Sequence, residues 1–347
     1  MLARSVVIGA PVDATGDIRR PPPPTDSPLP TPHPVLTMIR LALALLLASA
    51  VSVAPASAQL SGNNFRGDWG INSGTQPDPR FYFAPVYARY STNSIRDSDG
   101  NERPNVDAEI NVDVLAAFVW WVTDFKILGG NYSVQASFPM VGTALEAPGI
   151  GVGTDNSLAF GDVYVQPINL GWHQDRADFT VGAGVYFPTG RWEEGADDNI
   201  GLGMWGFDVV AGSTVYLNSA RSWTLSALAA YETHSKKQDS DIQVGDLFTV
   251  EGGLGASLLE GGLTVGAAYY AQWKLTEDDL GFERLPGLDK ARTFGVGPEA
   301  TLAIPVKGKL AGLLTARYLW ETGARSTTQG NTFVALLTVP LPLIPLG

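Results

Sequence analysis

Apolar and polar residues alternate along much of the chain after residue 80, in stretches of about ten residues. A period of two is the signature of β-strands, because successive side chains point to opposite faces of a sheet. In the stretch 108–124, one face collects Ile110, Val112, Val114, Ala116, Phe118 and Trp120, and the other begins with Glu109, Asn111 and Asp113. We expect the apolar face to contact lipid and the polar face to line a water-filled interior.

The alternation predicts twelve strands, an even number that places both ends of the barrel chain on one side of the membrane, which we expect to be the periplasm. They are the stretches 80–90, 108–124, 131–141, 161–173, 178–187, 205–217, 222–231, 246–257, 263–273, 292–304, 309–320 and 331–339.

The predicted connections alternate between tight turns, such as 174–177 and 218–221, and long polar loops, such as 91–107 and 142–160. Short periplasmic turns and long external loops are typical of outer-membrane barrels, and a soluble β-sandwich lacks this asymmetry. Aromatic residues cluster near the strand ends, as interfacial girdles require. The predicted fold is therefore all-β, a single antiparallel transmembrane β-barrel of outer-membrane type with about 12 strands, over residues 80–347.

Three prolines interrupt this pattern, because Pro85, Pro167 and Pro298 each lie inside a predicted strand. Proline has no amide hydrogen to donate to a neighbouring strand, and a closed barrel offers no free edge. We therefore expect bulges or bends at these positions.

The region before residue 80 divides into three parts. Residues 1–37 are rich in proline and have no period, which predicts a disordered extension and a translation start further along the chain. Residues 38–58 have the basic start, short apolar run and small-residue ending of a Sec-type signal peptide. Residues 59–79 are too polar and glycine-rich for a strand; they either hang in the periplasm or plug the barrel.

Composition narrows the function. The chain carries a net charge of −12 and has no lysine or arginine cluster, which argues against a nucleic-acid partner. It has no cysteine, which excludes thiolate metal sites and thiol nucleophiles and suits an oxidising periplasm.

The predicted polar faces give a set of pore-lining residues with more acids than bases, and two consequences stay open. A ring of acids favours cations over anions, whereas opposite charges that pair across the lumen close it. The predicted pore-lining residues are Glu109, Asn111, Asp113, Asp162, Tyr164, Gln166, Tyr186, Glu251, Tyr270, Gln272, Arg292, Glu299 and Arg317.

We predict no catalytic residues, no metal site and no cofactor. His234 beside Ser235 resembles a base and nucleophile only in sequence, because adjacent residues of a strand point to opposite faces. The acidic loop residues around Asp239 and Asp278 match no ordered calcium loop and are typical of solvated surfaces.

Several motifs resemble a known family. They are Gly161-Asp162-Val163-Tyr164-Val165-Gln166-Pro167, Gly182-Ala183-Gly184-Val185-Tyr186-Phe187-Pro188-Thr189-Gly190, the stretch 123–132, Val244-Gly245-Asp246 and Gly295-Val296-Gly297-Pro298. With these motifs, the chain resembles the outer-membrane transporter family "MetA-pathway of phenol degradation" over most of residues 80–340. The resemblance implies a barrel that admits aromatic or hydrophobic compounds, and it brings no catalytic residues with it.

The sequence thus predicts an integral protein of the bacterial outer membrane that passively takes up small hydrophobic or aromatic solutes. Its expected partners are outer-membrane lipid, lipopolysaccharide and the barrel-assembly machinery. Two alternatives remain, a lipid-modifying enzyme of the outer leaflet and a structural or adhesive surface barrel.

Overall fold

The structure, a computed structural model, describes residues 60–104, 106–150, 152–196, 198–280 and 290–341. The predicted extension and signal peptide, residues 1–58, lie outside the described residues. Within the described residues, no helix combines the length and apolar character that a membrane crossing requires.

Thirteen strands follow one another in the described chain, at almost the positions that the alternation predicts. They are β1 (Arg80–Thr92), β2 (Glu109–Ile127), β3 (Gly130–Ala147), β4 (Val152–Phe160), β5 (Val163–His173), β6 (Ala177–Phe187), β7 (Gly206–Tyr216), β8 (Trp223–His234), β9 (Leu247–Leu258), β10 (Leu263–Lys274), β11 (Arg292–Val306), β12 (Lys309–Arg325) and β13 (Asn331–Leu341). Short 3₁₀ turns occupy Pro148–Ile150 and Leu259–Gly261.

Twelve of these strands close into an antiparallel barrel, which confirms the predicted fold. Each pairs with its neighbours in the chain, and β1 completes the ring by pairing with β13 on one side and β2 on the other. The thirteenth, β4, lies in the predicted loop 142–160. It pairs with residues 140–147 of β3, while β5 pairs with residues 131–137 of the same strand. Together, β4 and β5 therefore act as one strand with a break in it.

The outward face of the barrel is apolar and exposed, as a lipid-facing surface must be. Many of its large side chains are at least 40% exposed, including Phe179, Val181, Val209, Leu254 and Trp320. Their strand neighbours point inward and are buried and mostly polar, such as Thr180, Asp208 and Thr249. The predicted alternation is therefore right for these strands.

The three prolines disturb the ladder to different degrees. Around Pro167 the register of β5 shifts against both β3 and β6, which is the expected bulge. At Pro85 and Pro298 the register does not shift. There the prediction of a bulge was wrong, although Pro85 has no ladder partner in β13 and Pro298 has none in β12.

Residues 60–79 pass through the interior of the barrel. At one end, the Leu60 carbonyl oxygen accepts a hydrogen bond from Lys274 Nζ, at the end of β10 that leads into a long loop. At the other end, Arg80 begins β1 opposite Val122, close to the tight turn after β2. The described chain therefore starts at the long-loop end of the barrel, and the expectation that the N-terminal residues begin on the other side was wrong. The two ends of the barrel itself lie on one side, as the even strand number predicts, because Phe81 pairs with Leu341.

Candidate functional site in the barrel interior

Three inward-facing glutamates hold the backbone of residues 60–79, which we call the inner segment. Glu232 of β8 accepts a hydrogen bond from the Asn63 amide at 2.6 Å. Glu251 of β9 accepts from the amides of Gly67 at 3.0 Å and Trp69 at 2.7 Å. A segment without secondary structure needs acceptors for its buried amides, and carboxylates make strong ones.

The third glutamate, Glu299 of β11, accepts from the Ile71 amide at 3.2 Å and also pairs with Arg317 of β12 at 3.2 Å. Arg317 in turn donates to the carbonyl oxygens of Gly67 at 3.1 Å and Asp68 at 2.5 Å. Arginine therefore balances one glutamate and fixes the middle of the inner segment.

A second basic residue is on the inner segment itself. Arg66 lies 3.3 Å from Glu321 of β12, whose side chain is fully buried. The hydroxyl groups of Tyr90 and Tyr270 donate to the same carboxylate at 2.9 and 2.5 Å. This network ties β1, β10 and β12 to the inner segment and leaves Glu321 fully partnered.

Towards the short-turn end, side chains of the inner segment contact the wall. Thr75 Oγ1 donates to Asp178 at 3.0 Å, and Gln76 Nε2 donates to Ser133 at 2.7 Å. The indole rings of Trp69 and Trp120 meet edge to face with centroids 6.2 Å apart. The inner segment is thus held along its whole length.

Glycines let the inner segment approach the wall this closely. A Cβ atom at Gly70 would lie 1.7 Å from a Glu299 carboxylate oxygen, and one at Gly74 would lie 2.2 Å from the Ser213 carbonyl carbon. Because the Ser213 main chain cannot move aside, Gly74 requires glycine, whereas a side chain at Gly70 would force the Glu299 side chain to shift.

An apolar cluster lies at the long-loop end. Leu60 packs with the buried side chains of Met204 and Val244, and Leu202, Ile242 and Leu280 surround them. The cluster joins the start of the inner segment to three long loops, so it covers the mouth of the barrel.

Lys237 beside this cluster is almost completely buried. Its Nζ donates to the Leu202 carbonyl oxygen at 2.6 Å and lies 4.2 Å from the centroid of the Trp192 ring. Removal from water lowers the pKa of Lys237 from 10.5 to about 8, although the charge of Asp162 opposes this shift. Protonated lysine is thus penalised in the folded loop.

We expect the loop that carries Lys237 to become more stable as the pH rises from 8 to 10.5. Below pH 8, Lys237 is protonated in both the folded and the unfolded loop, and the folded loop bears the full cost of a buried charge. Between pH 8 and 10.5, Lys237 loses its proton in the folded loop and keeps it in the unfolded loop, so this cost is relieved. Hydrogen exchange of residues 235–246, corrected for intrinsic rates, measures this. Lys237→Met should remove the pH dependence, whereas Lys236→Met, at an exposed neighbour paired with Asp241, should not. A loop that loosens over this range would show that the contacts of the ammonium group dominate.

The inward face of β2 is apolar, and here the sequence-based assignment was wrong. Trp120 contacts the inner segment and donates to the buried Ser133, so the even-numbered side of β2 faces inward. This face consists of Ile110, Val112, Val114, Ala116, Phe118, Trp120 and Val122. All but Val122 are only partly buried, which shows that space remains beside them.

Glu109, Asn111 and Asp113 consequently face outward. Asp113 accepts a hydrogen bond from the Tyr87 hydroxyl at 2.7 Å and pairs with Arg89 at 3.2 Å, with both charged side chains at least one-third exposed. These residues lie at the long-loop end of β2, where the outer surface has passed beyond the apolar band. There, water or lipid headgroups replace hydrocarbon, so polarity no longer marks the inside.

Arg292 also faces outward, because it pairs with Trp273 across the ladder and its guanidinium lies 6.0 Å from the Phe294 ring. Asp162 lies at the break between β4 and β5 and accepts hydrogen bonds from the amides of Gly190 and Leu202. The remaining predicted residues lie on the inward face: Tyr164, Gln166, Tyr186, Glu251, Tyr270, Gln272, Glu299 and Arg317.

Sequence reasoning missed Glu232, His234, Asp208 and Glu321 as interior residues. Glu232 and His234 continue the inward series of Thr224 and Ser226 in the same period, so extending the predicted strand 222–231 by three residues would have found them. The sequence also does not assign a position to Asp68, because the inner segment has no repeating pattern of apolar and polar residues that would show where a side chain points.

Within the described residues, no nucleophile is hydrogen-bonded to His234. Its Nε2 lies 2.7 Å from Glu232 and its Nδ1 lies 3.3 Å from the Val244 carbonyl oxygen, so both ring nitrogens have partners. Ser235 instead donates to the Lys236 carbonyl oxygen. Among the described residues, no group of three or more acidic or histidine side chains is arranged to hold a metal ion.

Comparison with solved structures shows the fold. The barrel superposes on the COG4313 outer membrane channel from Pseudomonas putida F1 with a TM-score of 0.67 and 13% identity, covering 80% of this chain and 100% of the other. A FadL homologue of Pseudomonas aeruginosa matches with a TM-score of 0.38 and 11% identity, covering 76% and 90% of the two chains. No curated protein matches the sequence. The family model described as putative MetA-pathway of phenol degradation matches residues 92–337, and the chain therefore belongs to that family.

Proposed function

We propose that this protein is an outer-membrane channel for the passive uptake of small hydrophobic or aromatic molecules. The observation that carries the proposal is the apolar inward face of β2, whose residues from Ile110 to Trp120 are only partly buried although the inner segment runs through the interior. An apolar wall favours apolar solutes, since they lose little on leaving water.

The contacts of the inner segment argue against a wide, water-filled pore. Glu232, Glu251 and Glu299 bind backbone amides and do not form an open ring of acids. Passage is then confined to the space that the segment leaves free, which suits small molecules.

The location and orientation belong to the same proposal. The exposed apolar band suits an outer membrane, and we place the long loops outside and the tight turns in the periplasm. The name of the structurally similar Pseudomonas putida channel and the description of the family support this assignment. Export through a Sec-type signal within residues 38–58 and contact with lipopolysaccharide remain parts of the proposal.

Two adjacent alanines of β2 give a matched test. Ala116 faces the interior space and its neighbour Ala117 faces outward. We expect Ala116→Trp to fill the passage and slow uptake, whereas Ala117→Trp adds an aromatic ring to the lipid-facing surface and leaves uptake unchanged. The measurement is growth of a deletion strain, complemented with each variant, on low concentrations of aromatic carbon sources.

The wild-type gene and Ala117→Trp should restore growth, and Ala116→Trp should restore much less at equal levels of folded protein. Unchanged growth of the deletion strain across a wide panel of aromatic compounds would contradict uptake as the function. Full restoration by Ala116→Trp would contradict the route along β2.

A further inference from the structure

Asp68 combines two properties that rarely occur together. Protein surrounds it on all sides, because the inner segment lies inside the barrel, yet its side chain is exposed to solvent. A solvent-filled space must therefore adjoin this side chain within the barrel.

The carboxylate of Asp68 has no hydrogen bond or ion pair with any described residue, although its main chain is fixed. Arg317 donates to the Asp68 carbonyl oxygen, and the Asp68 amide donates to Phe65 at 3.3 Å. The nearest basic groups are already engaged, since Arg317 pairs with Glu299 and Arg66 pairs with Glu321. Asp68 thus presents to the space a negative charge that Arg317, already paired with Glu299, offsets only in part.

An aromatic wall lies beside this part of the inner segment. The ring of Trp69, the residue after Asp68, meets the Trp120 ring, which lies 6.1 Å from that of Phe118. Tyr164 and Tyr186 belong to the same wall, with rings 4.4 Å apart, and the Tyr164 hydroxyl donates to a second acid, Asp208. Tyr164 of β5 pairs with Ser137 of β3, and Ser137 pairs with Phe118 of β2. The inward-facing wall therefore extends from Tyr164 to Phe118. Tyr164 and Phe118 are only partly buried, and so is Tyr186.

From this arrangement we propose that Asp68 is a selectivity residue of the passage, and that the space between it and Phe118, Tyr164 and Tyr186 admits neutral and cationic apolar molecules and repels organic anions. The proposal rests on the channel function proposed above and names the charge class of its solutes. An ammonium group is attracted both by a carboxylate and by aromatic ring faces, while the apolar body of the molecule packs against the rings. A carboxylate or phenolate on the same body meets repulsion from Asp68, and Arg317, whose partner is Glu299, weakens this repulsion only in part.

Three probes with the same phenylethyl-type body separate charge from shape: 2-phenylethylamine, 2-phenylethanol and phenylacetate. Purified full-length protein in vesicles is compared with empty vesicles for the entry of each probe. We expect the amine to enter about tenfold faster than the carboxylate, with the alcohol between them. In 1 M salt the difference should shrink, because charges are then screened beyond about 3 Å.

Asp68→Asn keeps the size of the side chain and removes its charge, so the difference between amine and carboxylate should largely disappear while entry of the alcohol stays the same. The control is Asp113→Asn, since Asp113 faces outward and is paired with Arg89, and it should keep the wild-type preference.

Equal entry of all three probes into wild-type vesicles, or a preference that Asp68→Asn leaves intact, would overturn the selectivity role while leaving the channel function in place. Failure of even the alcohol to enter would instead contradict the channel itself. If Asp68→Asn does not fold, the salt dependence of the wild type still decides, because a preference that 1 M salt does not reduce is not electrostatic.

Discussion

Removal of residues 60–78 should turn a poorly conducting barrel into one with a wide aqueous pore. The strands of the barrel are paired with one another, so closure of the ring does not require the inner segment. Without it, Glu232, Glu251 and Glu299 lose their amide partners and face water, which hydrates them well. In planar bilayers, single-channel conductance in 1 M KCl should rise several-fold relative to the full chain.

A point substitution tests the same idea without shortening the chain. Any side chain at Gly74 meets the Ser213 main chain, which cannot move aside within a paired strand. Gly74→Val should therefore displace the inner segment and raise conductance. The matched control is Gly153→Ala in β4, where an added Cβ has no atom closer than 4.0 Å. A truncated barrel that folds but conducts no better than the full chain would show that the inner segment does not obstruct the lumen.

The strands could be predicted from the sequence because lipid outside and polar groups inside impose a period of two. This held for β6, where exposed Phe179 and Val181 alternate with buried Asp178 and Thr180. It failed for β4, because the residues Val152–Phe160, which pair with the end of β3, do not alternate between apolar and polar side chains.

The inner face of β2 could not be assigned in this way, for a physical reason. In the half of β2 that leads to the tight turn, both faces carry apolar residues, with Ala116 and Phe118 on one face and Leu115 and Val119 on the other. In the half of β2 nearer the long loop, the polar residues face outward. This is opposite to the usual rule that polar residues of a membrane barrel face the interior. Only contacts from elsewhere in the chain, such as Trp69 against Trp120, decide between the faces.

The site depends even more on such distant contacts. The acids Glu251 and Glu299 face the interior, and their partners are amides roughly 180 and 230 residues earlier in the chain. In the sequence, a glutamate that accepts hydrogen bonds from buried amides cannot be distinguished from a glutamate that lines an open pore. The sequence left both alternatives open for this reason. Arg292, which was expected to line the pore, cannot pair with these acids because it faces outward.

Loss of the ion pair of Arg317 and Glu299 should destabilise the protein more than loss of an ion pair on the outer surface of the barrel. The two side chains are only 5% and 2% exposed, so Arg317→Met leaves a nearly dry carboxylate without its cation. Breaking a buried pair in this way typically costs about 3–5 kcal/mol. The matched outer pair is Arg89 and Asp113, with side chains 46% and 33% exposed, and Arg89→Met should cost about 0–1 kcal/mol.

Urea unfolding of the purified barrel in lipid vesicles measures both substitutions on the same scale. The double variant Glu299→Gln with Arg317→Met should recover part of the loss, because it removes the unpaired charge, and the effects of the two single substitutions should not add. The alcohol and amine probes of the passage provide a second readout, since Arg317 also fixes the main chain that carries Asp68. If Arg317→Met costs no more than Arg89→Met, water must reach Glu299 freely, and the inner segment would then be loosely held and not a fixed part of the barrel.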